Sequence, residues 1–220
     1  MAEIIYDRYP EAISITKDLL RTWAKNGDLG YLLWASVAFY INDEILSIAG
    51  EYGHLSIVKI FIEELPVYNL KGKYALIGAL KGNHAHIIHY LLDSKSIHPI
   101  LASKALIEAS EKGQTEIVEL LVEYGADPTI EASKAMERAT IHSHSSSMEK
   151  LVVSPHVYSS DLGSIFYLAI RHNRYNIAKI ILDTGKMSHS WIISTLSLAE
   201  REKNWLLMDF LEEYLADKNL

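Results

Sequence analysis

Alanine recurs in this sequence at thirty-residue intervals, at Ala49, Ala79, Ala109, Ala139, Ala169 and Ala199. Three residues before each stands a large apolar side chain: Leu46, Leu76, Leu106, Met136, Phe166 and Leu196. Nine residues after come Val58, Ile88, Val118, Met148, Ala178 and Met208, and twelve after come Phe61, Leu91, Leu121, Leu151, Ile181 and Leu211. Four columns keep their chemistry over six copies while the residues between them vary. Such columns are the packing positions of a stacked array. Alanine fits where neighbouring helices approach closely.

The cleanest copy is Ala105 to Pro128. Leu106 and Ala109 share a face of one helix, Lys112-Gly113-Gln114 interrupts it, and Ile117, Val118, Leu120, Leu121 and Val122 give a second helix its apolar side. Gly125, with Pro128 just beyond, ends the second helix. The chain therefore reads as one repeat domain over 1–220, with copies at 45–74, 75–104, 105–134, 135–164 and 165–194. Residues 1–44 are off the thirty-residue frame and read as an irregular N-terminal capping unit whose first helix starts at Pro10 and carries Ile13 and Ile15. Residues 195–220 read as a capping repeat with a charged outer face. The fourth copy reads as degraded: Ile141 to Ser147 replaces the usual turn, and a serine caps a shortened second helix near Met148.

Composition narrows the function classes. A formal charge of −7 opposes general affinity for nucleic acid or an anionic membrane. The absence of cysteine excludes disulfides, thiolate metal sites and cysteine nucleophiles. No secretory signal is read at the N-terminus, and the longest apolar run, Tyr31 to Ile41, is too short to span a bilayer, which needs about 20 helical residues. No membrane insertion is expected.

The segments EYGHLSIVKIFIEE, EKGQTEIVELLVEYGADP and RHNRYNIAKIILDTG resemble ankyrin repeats. The resemblance covers 45 to about 213, and 1–44 by weaker analogy. The period is thirty, not the usual thirty-three, and the Thr-Pro-Leu-His segment survives only at its leucine. The resemblance implies an all-α, ankyrin-like helical-hairpin solenoid with short or absent β-hairpins. A short tetratricopeptide-like array is the alternative, and the Gly-His turns and Gly-Ala-Asp ending favour ankyrin. A free-standing divergent array also resembles the host-directed ankyrin proteins of intracellular bacteria or large viruses. That implies a cytoplasmic protein, in a host's cytoplasm if it is a delivered effector.

By that resemblance, partners are met two and three residues after each anchor alanine, on the concave face. The candidate partner-binding residues are Glu51, Tyr52, Lys81, Glu111, Lys112, Ile141, His142, Arg171, His172, Arg201 and Glu202. Their mixed signs suit another protein better than a phosphate backbone. The expected function is non-enzymatic protein binding by a monomer, with no cofactor, no metal and no nucleic acid. Two histidine clusters offer a competing reading: His86 with His89, three apart on a helix, and His142 with His144. An enzyme or metal protein would place its site around the latter, yet neither cluster has the spacing of a zinc motif, and no nucleophile elbow or phosphate-binding loop occurs. His84 shares a column with His54 and His144, where the resemblance implies a turn-stabilising hydrogen bond.

Overall fold

The computed structural model describes residues 17–38, 43–63 and 72–218, which contain helices and turns and no strand. Pro10, Ile13 and Ile15 lie outside the described residues, as do Tyr40 and Ile41 at the end of the long apolar run. The helices are α1 Lys17–Asn26, α2 Leu29–Ala38, α3 Asp43–Glu51, α4 Leu55–Glu63, α5 Gly72–Gly82, α6 Ala85–Asp93 and α7 Pro99–Lys112. They continue with α8 Thr115–Glu123, α9 Ile130–Ile141, α10 Ser145–Val152, α11 Ser159–Arg171, α12 Tyr175–Asp183, α13 His189–Glu202 and α14 Trp205–Lys218. The chain is an all-α array of helical hairpins. It divides into two compact units, Met1–Ala105 and Leu106–Leu220, and the division falls inside α7.

The thirty-residue columns are the core. All six anchor alanines are at most 1% exposed. Leu46, Leu76, Leu106, Met136 and Phe166 are likewise buried, as are Phe61, Leu91, Leu121, Leu151, Ile181 and Leu211. Burying each such large side chain stabilises the fold by roughly 1.5–3 kcal/mol. The structure adds columns that alternation of size had hidden. One holds Ile57, Ile87, Ile117, Ser147, Ile177 and Leu207, all buried, and another lies immediately after the alanines at Gly50, Leu80, Ser110, Thr140 and Ile170.

The turn between the two helices of a hairpin has one geometry throughout. Its left-handed residue is Gly53, Asn83, Gly113, Ser143, Asn173 or Lys203, with φ between 56° and 81°. The next backbone N–H returns to the anchor alanine: His54 to Ala49, His84 to Ala79, Gln114 to Ala109, His144 to Ala139, Arg174 to Ala169 and Asn204 to Ala199, at 2.7–3.0 Å. One expectation is corrected here. The fourth copy keeps this turn, with Ser143 in the left-handed place, and α10 begins at Ser145 with His144 as its N-cap residue instead of near Met148. The N-terminal unit lies off the thirty-residue frame, displaced by four residues, and keeps the same turn. Asp28 N–H donates to the Trp23 carbonyl at 2.9 Å, so Trp23 takes the alanine's column, and Gly27 takes the left-handed place with φ +80°.

In the first unit, α3 and α5 touch backbone to backbone. A Cβ on Gly78 would stand 1.9 Å from the Ser47 carbonyl oxygen, and one on Gly50 2.5 Å from that of Ala75. In the second unit, α9 and α11 pack through side chains, and the column of Gly78 holds Arg138 and Leu168. Three consecutive residues ahead of α9's right-handed body, Glu131, Ala132 and Ser133, have φ of 54–62°. Asp127 braces the approach by accepting from both the N–H and the hydroxyl of Thr129. The long connection after α10 is also held from elsewhere in the unit: Lys186 Nζ donates to the carbonyls of Val152, Ser154 and Val157 at 2.8, 3.3 and 2.9 Å.

The last copy is looser. Leu196 and Met208 are only half-buried, and Glu200 is exposed in the column that is buried in the other five copies. Its surface is not uniformly charged, because Trp205 and Leu206 are 63% and 64% exposed.

Candidate functional site

The eleven candidate residues all sit at the C-terminal ends of first helices or on the turn that follows. In the first unit these are Glu51 and Tyr52 at α3 and Lys81 at α5. Lys81 pairs with Glu51 at 2.6 Å, and Lys25 stands 5.1 Å from the centre of the Tyr52 ring. In the second unit they are Glu111 and Lys112 on α7, Ile141 and His142 at α9, Arg171 and His172 at α11, and Arg201 and Glu202 on α13. Glu51 and Ile141 are half-buried and the other nine are exposed. Lys112 pairs with Glu108 at 2.7 Å, Arg138 approaches Glu111 at 3.8 Å, and His142 stacks on His144 with ring centres 6.0 Å apart. Lys25 and Arg138 were missed in the sequence. Lys25 was hidden by the four-residue displacement of its unit, and Arg138 reaches the surface from the other side of its helix.

The histidine column explains why this surface is fixed in place. His54 Nε2 meets the Lys25 carbonyl at 2.8 Å, His84 Nε2 that of Glu51 at 2.9 Å, and His144 Nε2 that of Glu111 at 3.1 Å. In the fifth copy Arg174 Nη2 donates to the Ile141 carbonyl at 3.3 Å. Each acceptor lies two residues after the anchor position, so the backbone of a candidate residue is gripped by the next copy while its side chain projects outward. The bond that the resemblance implies as a turn stabiliser joins neighbouring copies. Because these side chains reach backward, His84, His144 and Arg174 make no side-chain cap to their own helices. In the last copy Asn204 instead accepts from the Leu207 N–H of its own helix at 3.3 Å.

The imidazoles also require the glycines beneath them. A Cβ on Gly27, Gly53 or Gly113 would lie 2.5–2.8 Å from the ring of His54, His84 or His144 respectively. His86 Nε2 sits 3.2 Å from the Gly53 carbonyl, so Gly53 is enclosed by His84 and His86. These engagements define structural histidines. His144 Nε2 already faces a carbonyl, and among the described residues no group of three His, Asp or Glu side chains converges on a metal-sized space. Among them, too, no helix is long and apolar enough to cross a membrane.

Stacked hairpins with a repeated left-handed turn and an inter-copy ladder define a helical-repeat protein of the solenoid class. Residues 45–132 match the family model for ankyrin repeats in three copies, and that segment is an ankyrin-repeat array. The match ends at Ala132, inside the left-handed segment, while the same hairpin geometry continues to the end of α14. No curated protein and no solved structure matches the chain. Ankyrin repeats are generally protein-interaction modules.

Proposed function

We propose that the chain is a non-enzymatic module that binds another protein, as a monomer, through the exposed first-helix ends of its repeats. One observation carries this reading: nine of the eleven candidate side chains are exposed, and three candidate residues have backbones held by the next copy. The ladder fixes the carbonyls of Glu51, Glu111 and Ile141, so binding orders little additional backbone and loses little conformational entropy. The side chains offer both charges, two histidines and the ring of Tyr52, 43% exposed. That mixture suits a protein surface of mixed polarity and opposes a uniformly anionic one.

Affinity capture from lysate with mass-spectrometric identification tests the reading, run beside a variant with Tyr52, Lys112, Arg171 and His172 all changed to alanine. A partner held by the parent and lost by the folded variant supports it. A partner held equally by both removes these residues from the interface.

A further inference from the structure

The second helices carry a different feature, visible by comparing the two units. Between α4 and α6 of the first unit the corner is filled by Tyr90. Its phenol donates to Glu63 Oε1 at 2.7 Å, and Lys59 Nζ stands 5.3 Å from the ring centre. Burial, with the Glu63 carboxylate adding to it, pushes the phenol up to about 12. Sixty residues on, in the corner between α8 and α10 of the second unit, Lys150 replaces Tyr90, Glu123 replaces Glu63, Glu119 replaces Lys59 and Val153 replaces Asp93. Lys150 reaches across to Glu119, and this leaves an open cavity of about 250 Å³ lined by Glu119, Val122, Glu123, Glu149, Lys150 and Val153.

The lining says what would fill the space. Lys150 pairs with Glu119 and its ammonium is also favoured by Glu149 and Glu123, so three carboxylates face one cation and net negative charge remains at the rim, where Glu123 and Glu149 are exposed. Apolar surface flanks them in Val122 and in Val153, which is 70% exposed. The equivalent corner of the first unit accepts a flat ring that donates to the carboxylate of Glu63. A flat, cationic donor with an aliphatic stem has all the required features, and a guanidinium is flatter and more weakly hydrated than an ammonium.

We propose that the α8–α10 cavity is a docking slot for an arginine-bearing segment of a partner protein, with the arginine stem on Val122 and Val153 and its guanidinium between Glu123 and Glu149. The slot is separate from the first-helix ends and does not depend on them. The test uses the full chain and an acetylated, amidated Gly-Arg-Gly-Arg-Gly peptide, with a citrulline counterpart of the same shape and no charge. Amide shifts are followed by nuclear magnetic resonance.

The arginine peptide is expected to move amides in 119–123 and 149–153, and the citrulline peptide to leave them still. Glu123→Gln with Glu149→Gln should weaken binding by about tenfold. Glu212→Gln with Glu213→Gln removes the same charge from α14 and should change it less than about twofold. Val153→Arg, which fills the slot from within, should abolish binding while the melting curve is retained. The alanine variant at Tyr52, Lys112, Arg171 and His172 should bind the peptide normally. Unmoved amides at 119–123 and 149–153 would overturn the proposal. So would equal weakening by the two glutamine pairs, which marks a general attraction to an acidic chain.

Discussion

The α3–α5 contact of the first unit and the α9–α11 contact of the second are built on the same repeat register yet joined by different means. In the first, Gly50, Gly78 and Gly82 bring backbones together, and a Cβ on Gly82 would stand 2.0 Å from the Glu51 carbonyl oxygen. In the second, the same columns carry Thr140, Arg138 and His142, so no glycine admits such an approach, while the ladder bond is common to both contacts: His84 on Glu51 in the first and Arg174 on Ile141 in the second. A period thus specifies which positions face a neighbour, while residue size specifies how close the neighbour comes. The open cavity of the second unit lies on its other helices, between α8 and α10.

The largest expected effect breaks the close contact. Gly78→Ala places a methyl against the Ser47 carbonyl and should cost about 2–3 kcal/mol, because backbone cannot rotate away as a side chain can. Leu168→Ala, in the same column of the second unit, should cost roughly half of that. Equal losses in denaturant melts would erase the distinction between the units.

Next is Lys186→Met, which keeps the stem and removes the ammonium from Val152, Ser154 and Val157. The expected loss is about 2 kcal/mol, with faster hydrogen exchange confined to the amides of 153–158. Exchange rising evenly over the second unit would show that Lys186 does not anchor that connection.

Ala132→Gly has an unusual sign. In a right-handed helix, glycine for alanine costs about 1 kcal/mol, but Ala132 has φ +59°, where the Cβ itself is unfavourable by roughly 1–2 kcal/mol. The substitution should therefore stabilise the chain by about 1 kcal/mol. A destabilised variant would contradict the left-handed turn.

The smallest effect is read against pH. The folded Tyr90 phenol lies above its ordinary value, at about 12, so below pH 10 it is neutral in both states and adds no slope. From pH 10 upward the unfolded chain loses the proton first, and stability falls until the folded phenol ionises near pH 12. Tyr90→Phe should lose about 1 kcal/mol at neutral pH and show a shallower decline between pH 10 and 12. Melts at several pH values check this, and parallel declines would remove Tyr90 as the cause.

Much of this was legible in the chain because it is periodic. The alanine column at Ala49 through Ala199 fixed the hairpin register, and the exposed ends at Glu51, Glu111 and Arg171 followed from counting forward from it. Terminal and degraded copies were harder to read. Trp23 stands where the other copies have alanine and four residues off the thirty-residue interval, so its equivalence emerged only from the Asp28 to Trp23 bond. The serines and histidines of 141–147 looked like a broken turn because a left-handed place was expected to hold glycine, and Ser143 adopts φ +63° without it.

The sequence by itself determined that the chain stacks helical hairpins, because a fixed interval between buried positions has no other economical packing. Only the tertiary structure decided what the histidines do. His54, His84 and His144 read locally as turn stabilisers, and His144 also as half of a candidate metal pair, while their acceptors lie 29 to 33 residues away on the preceding copy. A hydrogen bond to a backbone carbonyl leaves no mark on the identity of the accepting residue, so Lys25, Glu51 and Glu111 could serve equally and could be found only once the copies were packed together.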